Sequence, residues 1–197
     1  MVWSYNSSTN YLNMKLTTDQ CNEIISWTDK FGKSNVRYCP DVCSPAGLHK
    51  SRLDYNITEV KRVESTQWFF DIISDFISEE YPNNKVKEGD FFYAHEFFTG
   101  AKFTKHVDKD RQHDWKLIVG AKLNNDFEGG KLLTYNPDGE LATESGVLYK
   151  MDSEVLHEVT EITKGTRYSF VYFINYKDLG VESKLFWNGK ILPQLFD

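Results

Sequence analysis

The sequence predicts an α+β fold, in which two amino-terminal helices support a carboxy-terminal antiparallel sheet system with a barrel or jelly roll at its centre. Two observations predict this. Apolar residues recur at helical spacing only within the first 85 positions, and from Phe91 onward the texture changes to short alternating or β-branched runs separated by Gly, Pro and Asn. Thr17 and Gln20 stand three apart ahead of Ile24, Ile25 and Trp27, the capping-box spacing that satisfies two orphan amides, and a helix over about 18–31 follows. A polar loop with Pro and Gly occupies 38–47. Trp68, Phe69, Ile72, Ile73, Phe76 and Ile77 then form one stripe of a second helix, which Tyr81-Pro82-Asn83-Asn84 ends. The β-patterned runs are 91–98, 116–123, 131–135, 146–150, 155–159 and 168–175, with turns at Gly129-Gly130, Asn136-Pro137-Asp138-Gly139 and Lys164-Gly165. The stretch 181–197 is amphipathic and aromatic, and its conformation is not readable.

A chain of 197 residues and 23.0 kDa suits one domain, 1–197, with helical support over about 15–85 and a sheet core over about 90–178. Hydrophobic residues at 40% and aromatics at 15% place it among globular chains, and a mean hydropathy of −0.53 gives it a well-solvated surface. The net charge of −6 repels polyanions, which argues against nucleic acid as a partner. Apolar runs such as 68–70 and 169–174 fall far short of the roughly 20 residues of a membrane span. The amino terminus has neither a basic start nor a signal-like apolar stretch, so the expected location is cytoplasmic. Three cysteines make a poor disulfide framework, and Cys39 and Cys43 with His49 lack the spacing of a structural zinc site, so they read as reduced thiols.

The chemistry gathers at His106-Val107-Asp108. Residues i and i+2 of a strand share a face, so an imidazole and a carboxylate there can chelate one cation. His157, in the short run Leu156-His157-Glu158-Val159, offers a third ligand. Two histidines and one carboxylate on one face of an octahedral ion form the facial triad of non-haem Fe(II) oxygenases. An H-x-D triplet alone is weak, because it occurs by chance in many proteins. Arg167, at the start of the next apolar run, sharpens it. A lone arginine at a strand edge is usually on the surface, but one pointing into a barrel holds a carboxylate through two parallel hydrogen bonds.

Three ordered segments resemble a known family. They are Gly100-Ala101-Lys102-Phe103-Thr104-Lys105-His106-Val107-Asp108, then Leu123-Asn124-Asn125-Asp126-Phe127-Glu128-Gly129-Gly130-Lys131-Leu132, and last Leu156-His157-Glu158-Val159 continuing to Gly165-Thr166-Arg167-Tyr168-Ser169. Over about 80 residues, 96–175, the chain resembles the Fe(II)- and 2-oxoglutarate-dependent oxygenases, in their prolyl 4-hydroxylase-like branch. Leu16-Thr17-Thr18-Asp19-Gln20-Cys21 resembles, more weakly, the opening of the family's supporting helix. The resemblance implies a double-stranded β-helix (jelly roll) core and a catalytic set of His106, Asp108, His157 and Arg167. The first three would bind Fe(II), and Arg167 would grip the distal carboxylate of 2-oxoglutarate. Gly129-Gly130 would form the tight turn before the strand lining the cosubstrate.

The implied enzyme consumes O2 and 2-oxoglutarate, with ascorbate as a reductant. It hydroxylates a C–H bond, foremost of a prolyl residue in a peptide or protein substrate, and releases succinate and CO2. Alternatives are the same chemistry on a free amino acid, small molecule or nucleobase, or a non-catalytic β-helix module that binds a metal or ligand. Two departures stand out. Collagen-type prolyl hydroxylases usually carry Lys where Arg167 stands, and Phe97 and Phe103 replace common tyrosines, so a phenol contact to 2-oxoglutarate is missing. Tyr93, Thr134 and Tyr149 are the candidate substitutes.

Other residues carry blander readings. His95, two before Phe97, shares a strand face with the expected pocket, although a hydrogen-bonded core or rim histidine is the commoner outcome. His113 reads as solvent-facing, and its neighbours Lys109 and Arg111 as loop residues able to touch substrate. Trp115 reads as packing, Ser51-Arg52 and Lys61-Arg62 as solvated charge, and Asp126 and Glu128 as turn residues. Selectivity is expected in the loops 36–56 and 108–115. Oligomeric state is not readable.

Overall fold

The computed structural model describes residues 14–38, 52–108, 114–135 and 138–181, and two short strands at 186–187 and 190–191. Helix α1 is Thr18–Lys30 and α2 is Gln67–Ile77. The strands are β1 Ser34–Tyr38, β2 Arg52–Lys61, β3 Phe91–Phe97, β4 Phe103–His106, β5 Trp115–Lys122, β6 Glu128–Gly129, β7 Leu132–Tyr135, β8 Gly139–Leu141, β9 Tyr149–Asp152, β10 Leu156–Val159, β11 Ile162–Lys164 and β12 Arg167–Asn175. Beyond them β13 Phe186–Trp187 pairs with β14 Lys190–Ile191.

The expected capping box opens α1. The Thr17 hydroxyl accepts from the Gln20 amide at 3.2 Å, and the Gln20 side chain accepts from the Thr17 amide at 2.8 Å. Cys21, Ile24, Trp27 and Thr28 form its buried stripe. In α2 the buried residues are Phe69, Phe70, Ile73, Ser74 and Ile77, and the Asn84 side chain donates to the carbonyls of Ser74 and Tyr81 just past its end. Both stripes need a sheet to cover them.

The main sheet has the order β1-β2-β3-β12-β5-β9, and a second sheet has the order β4-β10-β7-β8, with antiparallel pairing throughout. The two sheets make the double-stranded β-helix, or jelly roll. Side chains alternate across each strand, so the main sheet has two faces. One packs on the helices: Phe69 stacks on Phe92 at 3.8 Å and meets Phe170 edge-on at 4.9 Å, with Val60, Ala94, Val119, Ala121 and Ile174 around them. Burying each such aromatic or branched side chain stabilises the fold by about 1.5–3 kcal/mol. The other face meets the second sheet through a smaller cluster of Tyr55, Phe97, Ala101 and Ile162, with Phe103 and Phe127 against it.

Two elements differ from expectation. The 15–85 portion is not purely helical, because β1 and β2 join the main sheet within it. Of the expected selectivity loop 36–56, residues 36–38 lie in β1 and 52–56 in β2, and 39–51 lie outside the described residues. The strand expected at 146–150 lies instead at Tyr149–Asp152: the Gly146 amide donates to Lys122 O at 2.7 Å in a turn, and Val147 bridges Lys15. No helix among the described residues is long and apolar enough to cross a membrane.

Candidate active site

His106 ends β4 and His157 lies on β10 directly opposite it in the ladder. Opposed residues of an antiparallel pair project to the same side, so both imidazoles face the space between the sheets, with ring centroids 4.3 Å apart. Asp108 follows β4, fixed by its amide donating to Ser153 O at 3.0 Å. Its two carboxylate oxygens lie 3.5 Å from His106 Nε2 and 3.4 Å from His157 Nε2. All three ligand atoms fall within 4.8 Å of one another, a separation that one divalent ion can span. His106 Nδ1 lies 2.6 Å from Thr104 O, and His157 Nδ1 lies 2.9 Å from Val155 O. A carbonyl can only accept, so each Nδ1 carries the proton and each Nε2 presents its lone pair. Burial disfavours the charged form of His106, but the hydrogen bond and charge of Asp108 outweigh it and raise its pKa; in His157 burial wins and lowers it. This donor set fits Fe(II).

Arg167 opens β12 opposite Phe97 on β3 and is 3% exposed. Its guanidinium lies 5.5 Å from the Phe97 ring and folds back so that Nη1 donates to Ser169 Oγ at 2.7 Å. Nε is buried with no partner, and no carboxylate among the described residues pairs with the cation. Burial pulls its pKa down to about 10, partly offset by Tyr149, so it stays charged near neutrality. A buried cation left this way is costly, and a carboxylate-bearing ligand would relieve the cost. Gly129 and Gly130 both have positive φ, 78° and 61°; a Cβ on Gly130 would collide with Ile162 and press on the Arg167 stem. The double-glycine turn therefore makes room for the arginine.

Of the three candidate hydroxyls, Tyr149 lies on β9 opposite Gly120, and its ring covers the space that a Cβ there would take. Burial raises its pKa, with Arg167 opposing and Asp108 adding, so it keeps its proton and both ends of the site act on it. Thr134 pairs with His157 across the β7–β10 ladder and is buried, with its hydroxyl 3.5 Å from Gly139 O. Tyr93 is not brought to Arg167. It pairs with Val171, four residues along β12 or about 13 Å away. There its ring joins an aromatic ladder of Phe91, Tyr93, Phe173 and Trp115, with successive centroids at 5.3, 6.0 and 4.2 Å.

The bland readings hold for several residues. Glu128 forms an exposed ion pair with Lys164 at 2.9 Å, Arg62 donates to Gly89 O at 2.8 Å, and Trp115 stacks on Phe173. Lys109, Arg111, His113, Ser51, Cys39, Cys43 and His49 lie outside the described residues. Sequence reading missed Ser169, which holds the guanidinium. Its signal was the Arg-x-Ser spacing, which puts both side chains on one strand face. It also missed Lys122, which pairs with Ser169, shares that face and donates to Thr143 O at 2.7 Å.

No family model matches the sequence, and no curated protein matches it. Among solved structures the chain is similar to a prolyl hydroxylase from Trichoplax adhaerens in complex with a hypoxia inducible factor peptide fragment, with a TM-score of 0.61, 15% identity and coverage of 85% of this chain and 83% of that one. It is also similar to a prolyl-4-hydroxylase from Pseudomonas putida, with a TM-score of 0.59, 18% identity and coverage of 82% and 89%. A third is an oxidoreductase of the 2OG-Fe(II) oxygenase family from Burkholderia pseudomallei, with a TM-score of 0.59, 14% identity and coverage of 84% and 82%. The fold is that of the 2OG-Fe(II) oxygenases.

Proposed function

We propose that the protein is an Fe(II)- and 2-oxoglutarate-dependent dioxygenase that hydroxylates a C–H bond, foremost of a prolyl residue in a peptide or protein. The observation that carries this reading is the pairing of a His-Asp-His cluster with a buried cation that has no carboxylate partner among the described residues. When bound, iron with 2-oxoglutarate and O2 supplies the oxidising power that places a hydroxyl on the substrate and yields succinate and CO2. The chain's part is positioning. His106 and His157, locked by their Nδ1 hydrogen bonds, present Nε2 to the metal alongside Asp108. Arg167, steadied by Ser169, anchors the distal carboxylate, and the protonated Tyr149 hydroxyl stands in for the phenols absent at Phe97 and Phe103. Thr134 lines the His157 side of the pocket. The aromatic ladder on the same face offers apolar rings suited to a pyrrolidine, which supports a peptidyl substrate over a charged one.

The test is succinate formation from 2-oxoglutarate with Fe(II), ascorbate and a proline-containing peptide library, with products read for a gain of one oxygen. Turnover with a modified peptide is expected. Succinate without a peptide product moves the reading to a small molecule, and no turnover moves it to a binding module. Arg167→Ala is expected to raise the 2-oxoglutarate requirement by at least about 30-fold while Fe(II) affinity persists. Equal loss of both would make Arg167 structural.

A further inference from the structure

Among the described residues, the roles above leave the buried polar side chain of His95 unused. His95 lies on β3 opposite Ser169 of β12 on one side and Ile57 of β2 on the other. Opposed residues on one face have Cβ atoms about 4.5–5.5 Å apart, so the imidazole stands beside the hydroxyl onto which Arg167 folds its guanidinium. Its ring is edge-on to Tyr55 at 5.7 Å, to Phe97 at 5.5 Å and to Phe103 at 6.4 Å, and Phe103 in turn lies 5.7 Å from His106. His95 thus occupies the interval between the anchoring cation and the metal ligands. It is 7% exposed, and its ring nitrogens make no hydrogen bond to another described residue.

Three aromatic neighbours would suit a phenylalanine at this position better than an imidazole that hydrogen-bonds none of the described residues around it. A structural histidine would be expected to spend its N–H on a carbonyl or hydroxyl, as His106 and His157 do. Burial and the neighbouring Arg167 push its pKa down to about 3, with Asp108 opposing, so the ring is neutral and offers one N–H donor and one lone pair. A neutral donor beside Arg167 adds a hydrogen bond without adding a second repelling cation.

We infer that His95 is a further cosubstrate contact, whose N–H donates to the carboxylate that Arg167 holds at the distal end of a 2-oxo dicarboxylic acid. The inference rests on the cosubstrate reading given above. It assigns the distal end because the guanidinium is folded onto Ser169, the direct partner of His95.

The experiment is equilibrium binding under anaerobic conditions to the full chain loaded with Fe(II), followed by titration calorimetry. The two ligands are 2-oxoglutarate and 2-oxobutanoate, which shares the 2-oxo acid end and lacks the distal carboxylate. His95→Phe keeps the ring volume and removes the donor. It is expected to weaken 2-oxoglutarate by about 10-fold or more, to leave 2-oxobutanoate within about 2-fold, and to leave Fe(II) affinity unchanged. His95→Gln, which restores an N–H, is expected to recover part of the loss. The ligand-free His95→Phe protein is expected to melt no lower than the parent, where a merely structural histidine would give a lower melting temperature and unaltered ligand affinity. If the phenyl ring is not accommodated, His95→Leu gives the same donor-free comparison. Unaltered 2-oxoglutarate affinity in the donor-free variant, with Arg167→Met still weakening it, overturns the role of His95 and leaves the enzyme reading standing. Equal weakening of both acids overturns the distal assignment. If the parent protein binds neither acid, the cosubstrate reading fails and this inference fails with it.

Discussion

On β3 and β12, alternate residues enter environments of opposite chemistry. Phe92, Ala94, Phe170 and Ile174 face the helices in a dry, closely stacked layer. Their neighbours His95, Phe97, Arg167 and Ser169 face the second sheet, where the imidazole hydrogen-bonds no other described residue, the guanidinium keeps one nitrogen without a partner and the apolar cluster is small. The same backbone thus holds the molecule together on one side and keeps polar groups poised on the other. Stability and ligand affinity should therefore respond to different sets of residues only one position apart.

The largest break in that contrast comes from the helix side. Phe69→Ala removes a fully buried ring stacked on Phe92 and is expected to cost about 3–5 kcal/mol in urea unfolding, while Fe(II) affinity of the folded protein is retained. A matching loss of metal affinity would mean the two faces are not independent. On the pocket side Arg167→Met is expected to act in the reverse direction, raising ligand-free stability by about 1–2 kcal/mol as it removes a buried cation without a carboxylate partner. Lower stability would show that Ser169 and Phe97 compensate the charge fully.

The smallest effect is a pH dependence. Native His95 stays neutral down to about pH 3, whereas an unfolded imidazole takes up a proton near pH 6.5. Below that value the unfolded chain binds more protons, so native stability falls with falling pH. His95→Phe removes this component, and its stability advantage over the parent is expected to widen between pH 7.5 and pH 5 by up to about 2 kcal/mol. A gap that stays constant would place the imidazole in contact with water.

The parts of this arrangement that depend on strand periodicity were legible in the sequence. The i, i+2 spacing of His106 and Asp108, the isolated His157 and the strand-opening Arg167 could be read without a fold, because alternation alone decides which side chains share a face. The capping box of α1 was legible for a similar reason, since it needs only residues three apart. β2 was not legible, because its apolar alternation changes phase part-way along the strand. Tyr55 and Ile57 turn toward the pocket face, Thr58 and Val60 pack under the helices between the exposed Glu59 and Lys61, and Asn56 reaches the Glu96 carboxylate at 2.6 Å, so the apolar pattern switches faces within one strand. The choice among Tyr93, Thr134 and Tyr149 was equally closed, because it depends on which strands become neighbours. Glu96 illustrates the same limit: its carboxylate also accepts from Lys33 at 3.1 Å and from Tyr168 at 2.8 Å, three partners scattered across the chain.

The two histidine donors are direct partners on adjacent strands. Their separation is therefore inherited from the repeat of about 4.8 Å between hydrogen-bonded chains, and not from the packing of the residues around them. Mutational drift in the surrounding apolar shell can change its shape without changing that interval. Two imidazoles fastened this way keep their bite for as long as the ladder between β4 and β10 persists.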